Sequence, residues 1–395
     1  MRRSETIEAG VGMWRATLAG FCACLVGIGL ARFAYTPLLP AIIDAGWFAA
    51  AAAAYLGAAN LAGYLAGALL ARPMAAHVPG PVLLRAMMLL ASAMFFACAL
   101  QPAFLWFFTW RLLSGISGGA LMVLAAPTVL AHIPPARRGL ASGAIFAGVG
   151  LGIAASGTLV PLLLRLGVQQ AWIGLGGLAL VLTLIAWSGW PAPAAPAPPT
   201  AVAPPAVHPT RQLRALYGEY ALNAAGLVPH MIFLVDYVAR DLGQGLEVGA
   251  HYWVLFGLGA VAGPVVNGHI ADRIGFAAAL RLAFVVEIAA VGLPLLSSGA
   301  MGLAVSSLVV GAFTPGIVPL VLGRVHQLLH GDAAAQKAAW STATTSFALL
   351  QAGGAYGMSF LFAHTGGDDR LLFALGAVAI VLALLLDLTT MRQTR

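Results

Sequence analysis

Long apolar runs follow one another along almost the whole of this chain, and that succession limits its fold more than any motif does. Read between breaks at proline, glycine, charge and polar clusters, the runs fall at 14–39, 48–72, 80–101, 103–131, 137–165, 170–190, 213–240, 247–271, 277–297, 300–329, 335–362 and 369–390. Each matches the roughly 20 residues a helix needs to cross a hydrocarbon core about 30 Å thick. The alternative is a very large water-soluble core. Composition argues against it: with 61% hydrophobic and 8% charged residues, too little polar surface is left to clothe such a body. The strands of a β-barrel would alternate apolar and polar residues, and these runs do not. The expected fold is an all-α membrane protein with twelve transmembrane helices.

The distribution of basic residues sets the expected orientation, because positive loops are retained on the cytoplasmic side. With the N-terminus inside, that side holds Arg2, Arg3, Arg15, Arg72, Arg85, Arg137, Arg138, Arg211, Arg214, Arg273, Arg281, Arg324, Lys337, Arg392 and Arg395. The opposite side holds Arg165, Arg240 and Arg370, which leaves Arg32 and Arg111 within the membrane. The net charge of +7 is mostly this bias toward an anionic inner leaflet and does not call for a nucleic-acid partner. The first dozen residues carry Arg2, Arg3, Glu5 and Glu8 ahead of a run long enough to span, so no cleaved leader is expected. Cys22, Cys24 and Cys98 fall inside spans without metal-ligand spacing and read as small packing residues.

One stretch differs in kind. "PAPAAPAPPTAVAPPAVHPT", 191–210, is too rich in proline to be helical. It divides the chain into an N-terminal six-helix bundle, 1–190, a cytoplasmic linker, 191–212, and a C-terminal six-helix bundle, 213–395. The halves repeat each other: "GALLAR", Gly67 to Arg72, aligns with "GHIADR", Gly268 to Arg273, after the second span of each half. "PPARRGLASGAIFAGVG" and "DAAAQKAAWSTATTSFALLQAGG" open the fifth span of each with a basic residue followed by small ones.

"NGHIADRIG", 267–275, with its G-x-x-A-D-R-x-G core, resembles the signature loop of the major facilitator superfamily, as does "RLLSGISGG", 111–119, its R-x-x-x-G element. "GIGLARFAYTPLLP" in the first span is similar to the YbfB/YjiJ-type bacterial permeases. The resemblance implies two pseudo-symmetric six-helix bundles, both termini cytoplasmic, a bacterial inner-membrane location, transport by alternating access, and a monomer. It implies a cytoplasmic gate at Gly268, Asp272, Arg273 and Gly275, the glycines allowing a tight turn and close helix approach and Asp272 capping a helix or pairing with a neighbouring base. Glycines 115, 118 and 119 are expected to admit a close helix crossing.

Ionisable residues at mid-membrane cost at least about 2.5–3.5 kcal/mol each, so each is a functional candidate. Arg32 and Arg111 are expected at one depth beside the central chamber. Glu219, Asn223, Gly226, His230 and Tyr237 fall on one helical face of the seventh span, which suits the wall of a water-filled path. Substrate contacts are expected from Arg32, Tyr35, Asn60, Tyr64, Arg111, Asn223, His230, Tyr237, Gln351 and Tyr356. Proton coupling is expected from Asp236, His230 or Glu287, with Asp236 able to pair with either arginine. Glu287, in the ninth span, must turn inward or stay protonated. Thr314, Pro315, Gly316 and Pro319 are expected to interrupt the tenth span.

No nucleotide motif or metal-ligand spacing is present, so no cofactor is called for. The leading reading is a secondary transporter of a small organic solute, coupled to protons and inclined to anions because arginines offer bidentate partners for a carboxylate. Proton-driven efflux of amphipathic or cationic compounds is the alternative. A polytopic membrane enzyme lacks its signature, since neither H-E-x-x-H nor G-x-S-x-G occurs.

Overall fold

The computed structural model describes residues 2–100, 103–134, 137–191, 210–330 and 332–392, which form twelve helices. In the first half, α1 comprises Arg2–Cys24, a π-helical stretch Leu25–Leu30, a turn over 31–34 and Tyr35–Asp44. It is followed by α2 (Ala50–His77), α3 (Gly80–Ala99), α4 (Phe104–Leu130), α5 (Arg138–Leu164) and α6 (Val168–Ala186). In the second half, α7 comprises Arg211–Gly226, Val228–Ile232, Leu234–Asp236 and a π-helical stretch Tyr237–Asp241. Then come α8 (Leu246–Ile274), α9 (Phe276–Leu296), α10 (Ala300–Leu328), α11 (Ala333–His364) and α12 (Asp369–Arg392).

The helices cover the expected spans and run past several of them. Ten are long and apolar enough to cross a membrane, and α7, bent by 40° at Phe233, supplies an eleventh. α11 has 32 residues but carries a run of hydroxyls. Thr342, Thr344, Thr345 and Ser346 each donate to the carbonyl four residues back, at 2.9 to 3.1 Å, so the helix satisfies these donors internally. All backbone polar groups in lipid must be paired within the chain, which is why the spanning elements are helices.

The chain divides into two compact units, Met1–Phe48 with Ala59–Ala197, and Ala49–Ala58 with Pro198–Arg395. The first turns of α2 thus fall in the second unit. The expected linker, 191–212, lies outside the described residues except at its ends.

Each unit packs its helices through glycine. In the first, a Cβ added at Gly115 of α4 would lie 2.7 Å from the Tyr64 nitrogen of α2, and one at Gly119 would lie 2.7 Å from that of Ala68. Gly29 of α1 meets Gly152 of α5 with 2.8 Å left for a Cβ. The second unit repeats the first pattern: a Cβ at Gly259 of α8 would lie 2.8 Å from the Ala312 nitrogen of α10, and one at Gly311 would strike the Phe256 carbonyl. Small residues four apart let two backbones touch where lipid offers no hydrophobic drive to hold them together. The large side chains left outside are apolar, Leu105, Val265, Leu296 and Met301 among them, as a lipid-facing surface requires.

At one end of the first unit Arg15 donates to Ser188 Oγ (3.1 Å) and Arg85 Nε to the Trp187 carbonyl (2.9 Å). The starts of α1 and α3 and the end of α6 therefore meet there, as an up-and-down order dictates. α10 runs unbroken through Pro315 and Pro319, against the expectation of an interruption. The Thr314 hydroxyl bonds back to the Val310 carbonyl at 2.9 Å, and α8 crosses closely at Gly311 and Ala312.

Candidate functional site

The break in α1 organises the first unit's polar cluster. All six residues of the π segment are buried, and the turn that follows leaves carbonyls that a neighbour must satisfy. Arg111 Nη1 of α4 donates to the Ala31 carbonyl at 2.8 Å, and Ser114 Oγ reaches the same oxygen at 3.4 Å. Asn60 Nδ2 of α2 donates to Ser114 Oγ (3.2 Å) and to the Arg111 carbonyl (3.3 Å). The Arg111 guanidinium lies 4.3 Å from the Tyr35 ring centre, and that of Arg32 lies 4.9 Å from the Tyr64 ring and 5.0 Å from Phe33. Both placements use the attraction of a cation to an aromatic face.

Arg32, Tyr35, Asn60, Tyr64 and Arg111, expected as substrate contacts on three spans, form one cluster. Within it they divide. Arg111 is 1% exposed and holds the broken segment of α1 through the Ala31 carbonyl. Arg32 and Tyr64 are half-buried and carry the accessible polar surface of the cluster.

In the second unit the polar face of α7 turns inward. Asn223 Nδ2 donates to Glu287 Oε2 of α9 at 2.6 Å. His230 Nε2 shares a hydrogen bond of 2.8 Å with Ser306 Oγ of α10 and sits edge-on to the Phe373 ring of α12. Ser306 donates onward to the Ala290 carbonyl at 2.6 Å. Tyr237 donates to the Pro294 carbonyl at 3.1 Å, and Gly226 abuts Ile380 of α12. Asn223, His230 and Glu287 have no exposed surface, while Tyr237 has 1% and Glu219 4%. From Asn223 to Tyr237 the stripe packs against α9, α10 and α12, while Glu219, nearer the start of α7, borders a small cavity with Arg324 and Asp387. Glu287 turns inward, one of the two outcomes expected for it.

Asp236 is held within α7 by Arg240 at 3.2 Å. Gln351 of α11 is buried with its amide 3.6 Å from the Met231 sulfur. Tyr356 is half-buried, its ring centre 6.3 Å from that of Tyr55. At the expected gate, Gly275 has φ +82° and serves at once as the end of α8 and the start of α9, a tight turn that favours glycine. Gly268 has nothing within 4 Å of an added Cβ, so close helix approach in α8 belongs to Gly259 and Gly263 instead. Asp272 and Arg273 are exposed, with no ion pair or side-chain hydrogen bond among the described residues.

Two broken first helices, a glycine crossing repeated in each half and buried polar clusters at the breaks describe a membrane transporter, and sequence comparison decides the family. The model described as "Uncharacterised MFS-type transporter YbfB" matches residues 24–388. The chain belongs to this family of MFS-type transporters. No protein of curated function matches its sequence. Among solved structures, a mutant of the nucleoside transporter NupG superposes with a TM-score of 0.76 at 13% identity, covering 96% of this chain and 99% of that one. A bacterial homologue of the human lysosomal transporter Spinster, inward-facing and occupied, superposes with a TM-score of 0.69 at 15% identity, covering 96% of each chain. At such identities the likeness speaks for the MFS fold alone.

Several partners in this MFS-type transporter escape sequence reading. Ser114 and Ser306 complete the two hydrogen-bonded clusters, yet a serine in an apolar run resembles any small packing residue. The Arg281 guanidinium pairs with the Asp387 carboxylate, joining α9 to α12 near their ends. Asp387 lay at the tail of the last span, where an acid reads as a solvated terminus.

Proposed function

We propose that this MFS-type transporter moves a small organic anion across the bacterial inner membrane by alternating access, as a monomer coupled to protons, with both termini and the 191–212 segment cytoplasmic. The observation that carries the solute class is Arg32, half-buried on the turn after the π segment of α1. Its guanidinium is steadied on Tyr64 and Phe33. A second guanidinium fixed by Ala31 and Tyr35 adds positive potential without being spent on the solute. A carboxylate entering such a low-dielectric place gains a charge-assisted, bidentate partner. The positive-inside bias of the loops supports the orientation. Asp272 and Arg273 serve as a latch engaged in another stage of the cycle, since both are exposed and without a described partner here.

The test is a melting-temperature screen of the purified chain against carboxylates, phosphates, nucleosides, sugars and amines, followed by counterflow in liposomes for each hit. An organic anion is expected to stabilise the protein, and Arg32→Gln is expected to weaken its binding by about 10- to 150-fold. That is the loss of one hydrogen bond to a charged group worth about 1.5–3 kcal/mol. Stabilisation by amphipathic cations, undiminished in Arg32→Gln, would replace this reading with efflux.

A further inference from the structure

The Asn223–Glu287 pair is one donor short. Nδ2 of Asn223 donates to Oε2 of Glu287 at 2.6 Å, while Glu287 Oε1 and Asn223 Oδ1 are both buried without a hydrogen-bond partner. An ionised carboxylate and an amide oxygen are both pure acceptors. Left so, two lone-pair-bearing oxygens and a full charge would share a place with no exposed surface at either residue, which membrane and protein interiors penalise heavily. One proton on Oε1 removes the charge and turns that oxygen into a donor, and Asn223 Oδ1, the acceptor of the amide whose Nδ2 already bonds Oε2, is the group of matching chemistry to receive it.

The neighbouring charges offer no substitute for that proton. On α7, Glu219 lies one turn before Asn223, and His230 lies two turns after it, bonded to Ser306. On α9 itself Arg281 is engaged by Asp387 of α12. Of the other charged residues of α12, Asp369 and Arg370 open the helix at its far end and Arg392 is its last residue. On α10, Arg324 and His326 are near its close, and on α8 Glu247, His251, His269, Asp272 and Arg273 are near its ends. Among the described residues none of these side chains bonds to Glu287.

A cavity lies one helical turn away along α7. Glu219, Gln212, Leu216, Arg324, Asp387 and Thr390 line a cavity of about 20 Å³, room for one water. Glu219 to Asn223 is a rise of about 6 Å along α7.

We propose that Glu287, closed by Asn223, is a proton-binding site inside the C-terminal half, entered through Glu219 and its water cavity from the Arg281 and Arg324 end. The site rests on the proton-coupled reading above and gives it a carrier in the unit that does not hold Arg32.

The experiment is infrared difference spectroscopy of the full chain in lipid, stepped between acid and alkaline buffer with no solute, in sodium, potassium or choline chloride. A protonated-carboxyl stretch is expected to come and go with pH, to vanish in Glu287→Gln, to shift in Asn223→Ala and to respond more slowly in Glu219→Gln. Glu287→Gln keeps a closed amide–amide pair, so it is expected to fold and to retain counterflow of any hit from the solute screen while losing accumulation driven by a pH gradient. No band lost in Glu287→Gln would overturn the site. A band abolished by sodium and indifferent to pH would overturn the proton as its ligand. A titrating Glu287 band in a protein whose transport ignores the pH gradient would keep the site and discard proton coupling.

Discussion

Gly263 is the sharpest probe of how this transporter holds together. It sits on α8 where a Cβ would strike the Ala312 carbonyl oxygen and lie 2.7 Å from the Ala312 Cα of α10. Carbon atoms settle at about 3.5–4.0 Å, so Gly263→Ala forces the two backbones apart by about 1 Å. Neither backbone is the far end of a flexible side chain that could swing aside. Overpacking of this kind costs about 1–3 kcal/mol. At about 2–4 °C per kcal/mol for a unit of this size, the melting temperature should fall by about 2–12 °C. Gly268, five residues along the same helix, has open space at its Cβ position, so Gly268→Ala should leave stability unchanged or raise it by up to about 1 kcal/mol through helix propensity. Gly67→Ala, whose Cβ would lie 2.7 Å from the Ile116 Cα, should reproduce the loss in the first unit if the two halves are built alike. The assay is thermal unfolding of the purified protein followed by tryptophan fluorescence. Equal shifts for Gly263→Ala and Gly268→Ala would refute the close crossing.

Three further outcomes are expected. Arg281→Ala strands Asp387, 8% exposed, beside Glu219, and should destabilise by about 1.5–3 kcal/mol; adding Asp387→Ala should recover part of that in a double-mutant cycle, whereas strict additivity would mean that the pair is not coupled. Asp272→Asn, at an exposed site without a described partner, should leave the melting temperature where it is and shift only the balance of inward and outward accessibility, read by cysteine labelling; lost stability would make Asp272 a fold residue. Cysteine placed at Ser298, between α9 and α10, should react with an impermeant reagent on intact cells, while cysteine at His77, ending α2, should react only after permeabilisation. Both positions are exposed and all three native cysteines are buried, and the reverse pattern would invert the orientation.

What was legible in the sequence is what depends on one helix at a time. Span lengths, the basic bias and the glycines of α4 state their consequences without reference to a partner. Periodicity also placed Asn223, His230 and Tyr237 on one face of α7. It could not say whether water or another helix covers that face, because both environments accept the same polar side chains. The structure answers with Glu287 and the Pro294 carbonyl of α9 and with Ser306 of α10. The breaks invert the same lesson. Pro315 and Gly316 suggested an interruption that α10 does not have. α1 leaves α-helical geometry at "LVGIGL", which contains no proline. A proline's lost hydrogen bond is local, but whether the helix yields depends on what packs beside it, α8 in one case and the Arg111 donor in the other. Arg111 shows why an intramembrane charge is ambiguous as a functional signal. Its cost to the membrane is the same whether it waits for a solute or caps the Ala31 carbonyl, and only the contact at 2.8 Å separates the two. On the function proposed above, Arg32 meets the solute and Arg111 the helix that presents it, so Arg111→Gln should lower stability first and binding through it, while Arg32→Gln should lower mainly binding. Equal loss of stability in both would show that the two arginines form a single structural pair.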